Sequence, residues 1–100
     1  MYNLRDFSDY DFQDHYRSHY HATENPYSYY EPAYRYGYDL AYSYPYRNRG
    51  WQALEADARR DWEQRYPRRA WADFHEAVRY AWERVKKSYA YNPPEFQQAV

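Results

Sequence analysis

The sequence predicts an all-α fold: a small, antiparallel-like bundle of three or four short helices around a core rich in Tyr and Trp. Three observations carry that expectation. Apolar and aromatic residues recur at helical spacing in four separate stretches. The breakers fall between those stretches, at Pro26, from Pro45 to Gly50, at Pro67 and at Pro93-Pro94. No segment alternates with period two except residues 36–46, where Tyr recurs at even positions and an extended Tyr-x-Tyr ribbon is the rival reading.

Residues 1–8 read as a loose leader. Ser8, Asp9 and Asp11 are cap-type residues, and Phe12, His15, Tyr16, His19 and Tyr20 then share one helical face, so a first helix is expected over about residues 9–21. Thr23-Glu24-Asn25-Pro26 is turn chemistry, because Pro26 turns the residue before it away from the helical region. The central helix follows. Its start is expected at Tyr29 to Glu31, which keeps Pro32 in the first turn, where a missing N–H costs nothing. Tyr30, Tyr34, Gly37, Tyr38 and Ala41 form one face of it, and Tyr29, Ala33, Tyr36 and Leu40 flank them. Only Glu31, Arg35 and Asp39 are left for water, so this helix should be covered on two sides.

Ser43 to Gly50 forms the longest connection. The third helix carries Trp51, Leu54, Ala58 and Trp62 on one face and closes at Pro67, with Glu55 and Asp57 early and Arg59, Arg60 and Arg65 late, as the helix dipole favours. In the fourth, Trp71, Phe74, Val78, Trp82, Val85 and Tyr89 make a narrow stripe with Ala81 at its edge, and Asn92-Pro93-Pro94 stops it. Gly37 fits a close approach of two helices and Gly50 a helix N-terminus. One helical domain over residues 1–91 and a tail over 92–100 are the expected organisation.

Composition narrows the function classes. A chain of 100 residues is one domain, and folding at this size hides only about two thirds of its surface. Aliphatic side chains are few, while 25% of the residues are Phe, Trp or Tyr, whose rings replace the missing bulk if each hydroxyl finds a partner. The low mean hydropathy reflects tyrosine content rather than disorder, since disordered chains are poor in aromatics. There is no cysteine, so neither disulfides nor thiolate metal sites exist. A net charge of −1 argues against a dedicated non-specific nucleic-acid binder. Without an apolar leader or a membrane-length apolar run, a soluble, cytoplasmic protein is expected.

The order Pro32-Ala33-Tyr34-Arg35-Tyr36-Gly37-Tyr38, then Trp51, Leu54-Glu55, Asp57-Ala58-Arg59, Trp62-Glu63, Arg65, Pro67, Trp71 and Phe74, then residues 77–85 from Ala77 to Val85, resembles a family of small, mostly uncharacterised bacterial proteins. That family is often found beside general-stress proteins or domains, and the similarity spans about residues 11–88. The resemblance implies stress or desiccation physiology and carries over no catalytic residues. Tyr42-Ser43-Tyr44-Pro45-Tyr46 departs from the family pattern in being richer in tyrosine.

No catalytic constellation is found: there is no Gly-x-Ser-x-Gly, no phosphate-cradling glycine loop and no His-Glu-x-x-His. His15 and His19, with His21, Asp11 and Asp14 nearby, have ligand spacing, but no distant cluster completes a site, and histidines hydrogen-bonded to tyrosines are the simpler reading. His75 beside Glu76 reads as a packing residue. No metal, cofactor or small-molecule substrate is inferred. The surplus of rings over what the helical stripes need points to protein–protein contact, most economically with a second copy, as a closed oligomer or a filament. Tyr36, Tyr38, Tyr42, Tyr44, Tyr46 and Tyr80 are the candidate contact residues, with Arg35 and Arg49 orienting the partner. The alternative is an RNA or ribosome-surface binder using Arg59, Arg60, Arg65, Arg68 and Arg69, although Asp57, Asp61 and Glu63 are interleaved with them.

Overall fold

A computed structural model describes residues 7–43 and 49–91, the side chains of residues 9 and 89–91 excepted. Four helices make up the bundle: α1 (Phe12–His19), α2 (Tyr27–Tyr42), α3 (Trp51–Arg65) and α4 (Trp71–Tyr91), with 3-10 turns at Phe7–Asp9 and His21–Thr23. No strand occurs among the described residues. Residues 36–42 are helical, so the extended ribbon fails over that span.

α2 and α4 form the centre, α3 packs along α4, and α1 lies across both α2 and α4. The α2–α4 seam closes at Gly37. A Cβ there would overlap the Val78 carbonyl oxygen and stand 2.9 Å from the Cβ of Ala81, so only glycine lets the two backbones meet. Around the seam the expected faces are buried: Tyr30, Ala33, Tyr34, Leu40 and Ala41 on α2, and Phe74, Val78, Ala81 and Val85 on α4. Trp51, Leu54, Ala58 and Trp62 close the α3 side. The indoles of α3 and α4 touch in a row, with ring centroids 5.7 Å apart from Trp82 to Trp51, 6.3 Å from Trp51 to Trp71 and 6.4 Å from Trp71 to Trp62.

Two boundaries differ from expectation. α1 begins at Phe12 rather than residue 9. Asp11 caps it through backbone bonds alone, its carboxylate being turned instead to the Tyr80 hydroxyl and the Arg84 guanidinium. α2 begins at Tyr27, which puts Pro32 inside the helix rather than in its first turn. An interior proline costs about 3 kcal/mol. The extra turn brings Tyr30 into the core and packs Tyr27 and Tyr29 against it, and each well-buried ring returns roughly 1.5–3 kcal/mol. The carbonyl that Pro32 leaves without a helical donor belongs to Ser28, which is exposed and open to water.

Candidate interaction surface

The candidate contact residues divide into three groups. Tyr36 is a correction: it is buried, and its hydroxyl donates to the Asp61 carboxylate (2.8 Å) and lies 3.2 Å from the Ala58 carbonyl oxygen. α3 returns alongside α2 and takes that ring in, so it is not offered to a partner. Tyr80 points away from the α4 core stripe, as expected, and is half-buried: its ring stacks on His15 of α1 at 3.9 Å and its hydroxyl is 3.1 Å from Asp11. Tyr44 and Tyr46 lie outside the described residues. Arg49, just ahead of α3, is held to that helix by an ion pair with Asp57 (3.3 Å) and a bond to the Ala53 carbonyl.

Arg35, Tyr38 and Tyr42 remain together. With Asp39, which spacing alone would have added, they stand at i, i+3, i+4 and i+7 and share one side of α2 as a stripe. Arg35 and Asp39 are exposed, and the two rings are half-buried and 5.0 Å apart. The Arg35 guanidinium lies 4.2 Å over the Phe7 ring, and Phe7 meets Tyr38 edge-on at 5.7 Å. Neither Arg35 nor Asp39 has an ion-pair partner among the described residues. Partial burial holds the Asp39 carboxyl above the usual carboxylate range, and the charges of Arg35 and Arg65 only partly offset it.

The arginine cluster is differently placed. Arg59 pairs with Glu63 (3.2 Å), Arg60 with Asp57 (3.2 Å) and Arg65 with Asp61 (3.0 Å), each one helical turn away. Arg69 turns inward. It donates to the Tyr29 carbonyl (3.0 Å) and lies 5.0 Å over the Tyr29 ring, while its own carbonyl accepts the Trp62 indole N–H (2.8 Å). Arg68 is exposed and makes no ion pair among the described residues.

The histidines join the aromatic network. His15 Nδ1 lies 2.7 Å from the Tyr34 hydroxyl, and its ring stacks on His19 at 5.1 Å. Burial, then the neighbouring His19, push the His15 imidazole below its ordinary value against the pull of Glu76 and Asp11. Burial drives the Tyr34 hydroxyl strongly upward, so it stays protonated and able to donate to Nδ1. Among the described residues no three His, Asp or Glu side chains converge as metal ligands. No helix in that set is long and apolar enough to cross a membrane. No protein-family model, curated protein or solved structure matches the chain.

Proposed function

We propose that the chain is a non-enzymatic interaction protein of the bacterial stress setting that its sequence resemblance implies, and that it associates with itself through the outer stripe of α2. The observation that carries this reading is the stripe itself: two half-buried tyrosines beside an arginine and an aspartate that have no ion-pair partner among the described residues. Tyrosine and arginine are the side chains enriched where interfaces hold most tightly. The stripe is also self-complementary. Two antiparallel copies related by a two-fold axis midway between positions 35 and 39 set each Arg35 against the other copy's Asp39, giving two equivalent ion pairs, with Tyr38 and Tyr42 alongside. A guanidinium arriving there neutralises the carboxylate that partial burial penalises. RNA or ribosome binding through the arginine cluster has less support, because Arg59, Arg60 and Arg65 already face carboxylates.

Size exclusion coupled to light scattering, over a wide range of protein concentration, tests the proposal. A discrete oligomer that Asp39→Arg dissociates, and that the exchanged pair Arg35→Asp with Asp39→Arg restores, is the expected result. A strict monomer at every concentration refutes it.

A further inference from the structure

The hydrogen bond between Tyr34 and His15 sets an acid against a base inside a cluster of rings. Tyr34 is fully buried, and rings of α1, α2 and α4 close on it. Phe12 stacks at 5.4 Å, Tyr27 at 5.8 Å, and Tyr80 stands edge-on at 6.5 Å. Centroids at these spacings bring ring against ring, which is the contact an electron crosses most readily. Tyr27 and Tyr80 are only half-buried, so the sealed ring of Tyr34 is one ring away from water by two routes.

The hydroxyl of Tyr34 is set apart by what it faces. His15 Nδ1 is 2.7 Å away, within reach of direct proton transfer. With the phenol donating, Nδ1 is the lone-pair nitrogen of the imidazole and Nε2 carries the ring hydrogen. Burial, and then the neighbouring His19, favour the neutral ring against the pull of Glu76 and Asp11, which keeps that lone pair available. Other tyrosines lack such an acceptor. The hydroxyls of Tyr16 and Tyr30 donate to the Asn25 carbonyl and to Thr23 Oγ1, neither of which is a base. Asp61 and Asp11, which meet the hydroxyls of Tyr36 and Tyr80, are already engaged with Arg65 (3.0 Å) and Arg84 (3.3 Å). The Tyr27 hydroxyl has no hydrogen bond among the described residues. A buried phenol resists losing an electron while it keeps its proton, because the product is a cation in an apolar core; it yields when a base takes the proton as the electron leaves. The chain has no cysteine, so an electron deficit settles on rings rather than on a thiol.

We propose that Tyr34 and His15 form a one-electron redox site that disarms radicals of the peroxyl class. The radical takes an electron from Tyr27 or Tyr80 at the surface, and Tyr34 refills that ring. The Tyr34 O–H bond breaks as an N–H bond forms at His15 Nδ1, leaving a neutral tyrosyl radical beside an imidazolium. The peroxyl radical becomes a hydroperoxide anion and takes its proton from water. A diffusible reductant of the enediol class later returns the electron, and the proton goes back from Nδ1 to the phenolic oxygen. Burial keeps the Tyr34 radical from coupling with a second one, which is how exposed tyrosyl radicals are lost. The site is separate from the side of α2 assigned to self-association.

Flash photolysis of the full chain tests it, with a photo-oxidised ruthenium polypyridyl complex as the one-electron oxidant and the tyrosyl radical followed by transient absorption. The expected radical outlives that of N-acetyltyrosinamide at equal concentration. Tyr34→Phe abolishes this long-lived species. His15→Gln, which keeps a hydrogen-bonding group but is no base, slows its formation by about a hundred-fold or more, the worth of a positioned base. In deuterium oxide the parent forms it more slowly, because an O–H bond breaks in the step. A radical no longer-lived than that of the free amide, the same radical in Tyr34→Phe, formation at the parent's rate in His15→Gln, or no slowing in deuterium oxide overturns the proposal. Far-UV circular dichroism verifies that the variants are folded. His15→Gln is at a half-buried position, and with the isotope effect on the parent it decides the matter even where Tyr34→Phe does not fold.

Discussion

Replacing Gly37 by alanine sets two opposed effects against each other on a single carbon atom. In a helix interior alanine is better than glycine by about 1 kcal/mol, so a glycine in open space gains from the change. Gly37 has no such space. The added Cβ overlaps the Val78 carbonyl oxygen and lies 2.9 Å from both the Val78 carbonyl carbon and the Ala81 Cβ. The carbonyl oxygen is the limiting contact: ordinary contact with it begins at 3.4 Å, and to reach that α2 and α4 must part by roughly 1.3 Å where they now press closest. The obstacle is backbone inside a hydrogen-bonded helix and cannot rotate aside. A gap of that size forfeits about half or more of the attraction in each facing contact, and an extra methyl group in a packed core costs about 1–3 kcal/mol. Taking about 3 kcal/mol for a backbone obstacle and subtracting about 1 for helix propensity leaves about 2 kcal/mol of destabilisation. For a domain of this size that lowers Tm by roughly 8–16 °C. Thermal and urea unfolding followed by far-UV circular dichroism measure it. Gly50→Ala is the control: nothing lies within 4 Å of the added carbon, and the lost N-cap preference shifts stability by no more than about 1 kcal/mol. A Tm for Gly37→Ala equal to or above the parent's would refute the reasoning, because propensity would then outweigh the contact.

Two further outcomes follow from the core. The Trp62 indole N–H donates to the Arg69 carbonyl, whereas that of Trp82 is buried with no hydrogen-bond partner among the described residues. Both Trp→Phe substitutions lose bulk, but only Trp62→Phe breaks a hydrogen bond, while Trp82→Phe removes an unsatisfied donor. Trp62→Phe is therefore expected to cost about 1–3 kcal/mol more in urea unfolding, and equal costs would count against this account. The second outcome concerns pH. Burial holds His15 below its ordinary value of 6.5, so the unfolded chain binds the proton more readily than the folded one. Its contribution to stability is full above about pH 6.5 and is lost as pH falls from there toward the lower folded value. Asp11 also lies below its ordinary value: burial alone would raise it, but the Tyr80 hydrogen bond and the Arg84 charge outweigh that effect. Its contribution is lost only as pH falls below about 3.8, so a comparison made above about pH 5 leaves it untouched. Urea midpoints compared at about pH 8 and pH 5.5 should fall for the parent and change less for His15→Gln; an equal slope in both would remove His15 as the cause.

Much of the fold is legible along the chain because the helices are amphipathic in their own right. The Trp51, Leu54, Ala58 and Trp62 face and the Trp71 to Val85 stripe are each set by residues three and four apart, and the structure buries both. Gly37 could be read as a close-approach glycine because rings and small residues surround it on one face. What periodicity does not contain is which helix comes back to cover which flank. Tyr80 looks outward from α4 until Asp11 and His15, some seventy positions earlier, are laid across it. Tyr36 sits on a flank of α2 whose fate depends on where α3 returns. Local cost alone places the start of α2 too late, since the penalty at Pro32 is a property of the residue and the compensation from Tyr27, Tyr29 and Tyr30 is tertiary.

The row of indoles has an optical consequence. Trp51 and Trp62 belong to α3, Trp71 and Trp82 to α4, and each of the three junctions in the row crosses between those helices. Excitation of any one indole therefore migrates along the row before emission, depolarising the fluorescence of an otherwise rigid protein, and their transition dipoles couple in the near ultraviolet. That coupling depends on α3 being docked on α4 and is indifferent to how much helix each has formed alone. The chain carries its own reporter of assembly, separable in time from the appearance of secondary structure.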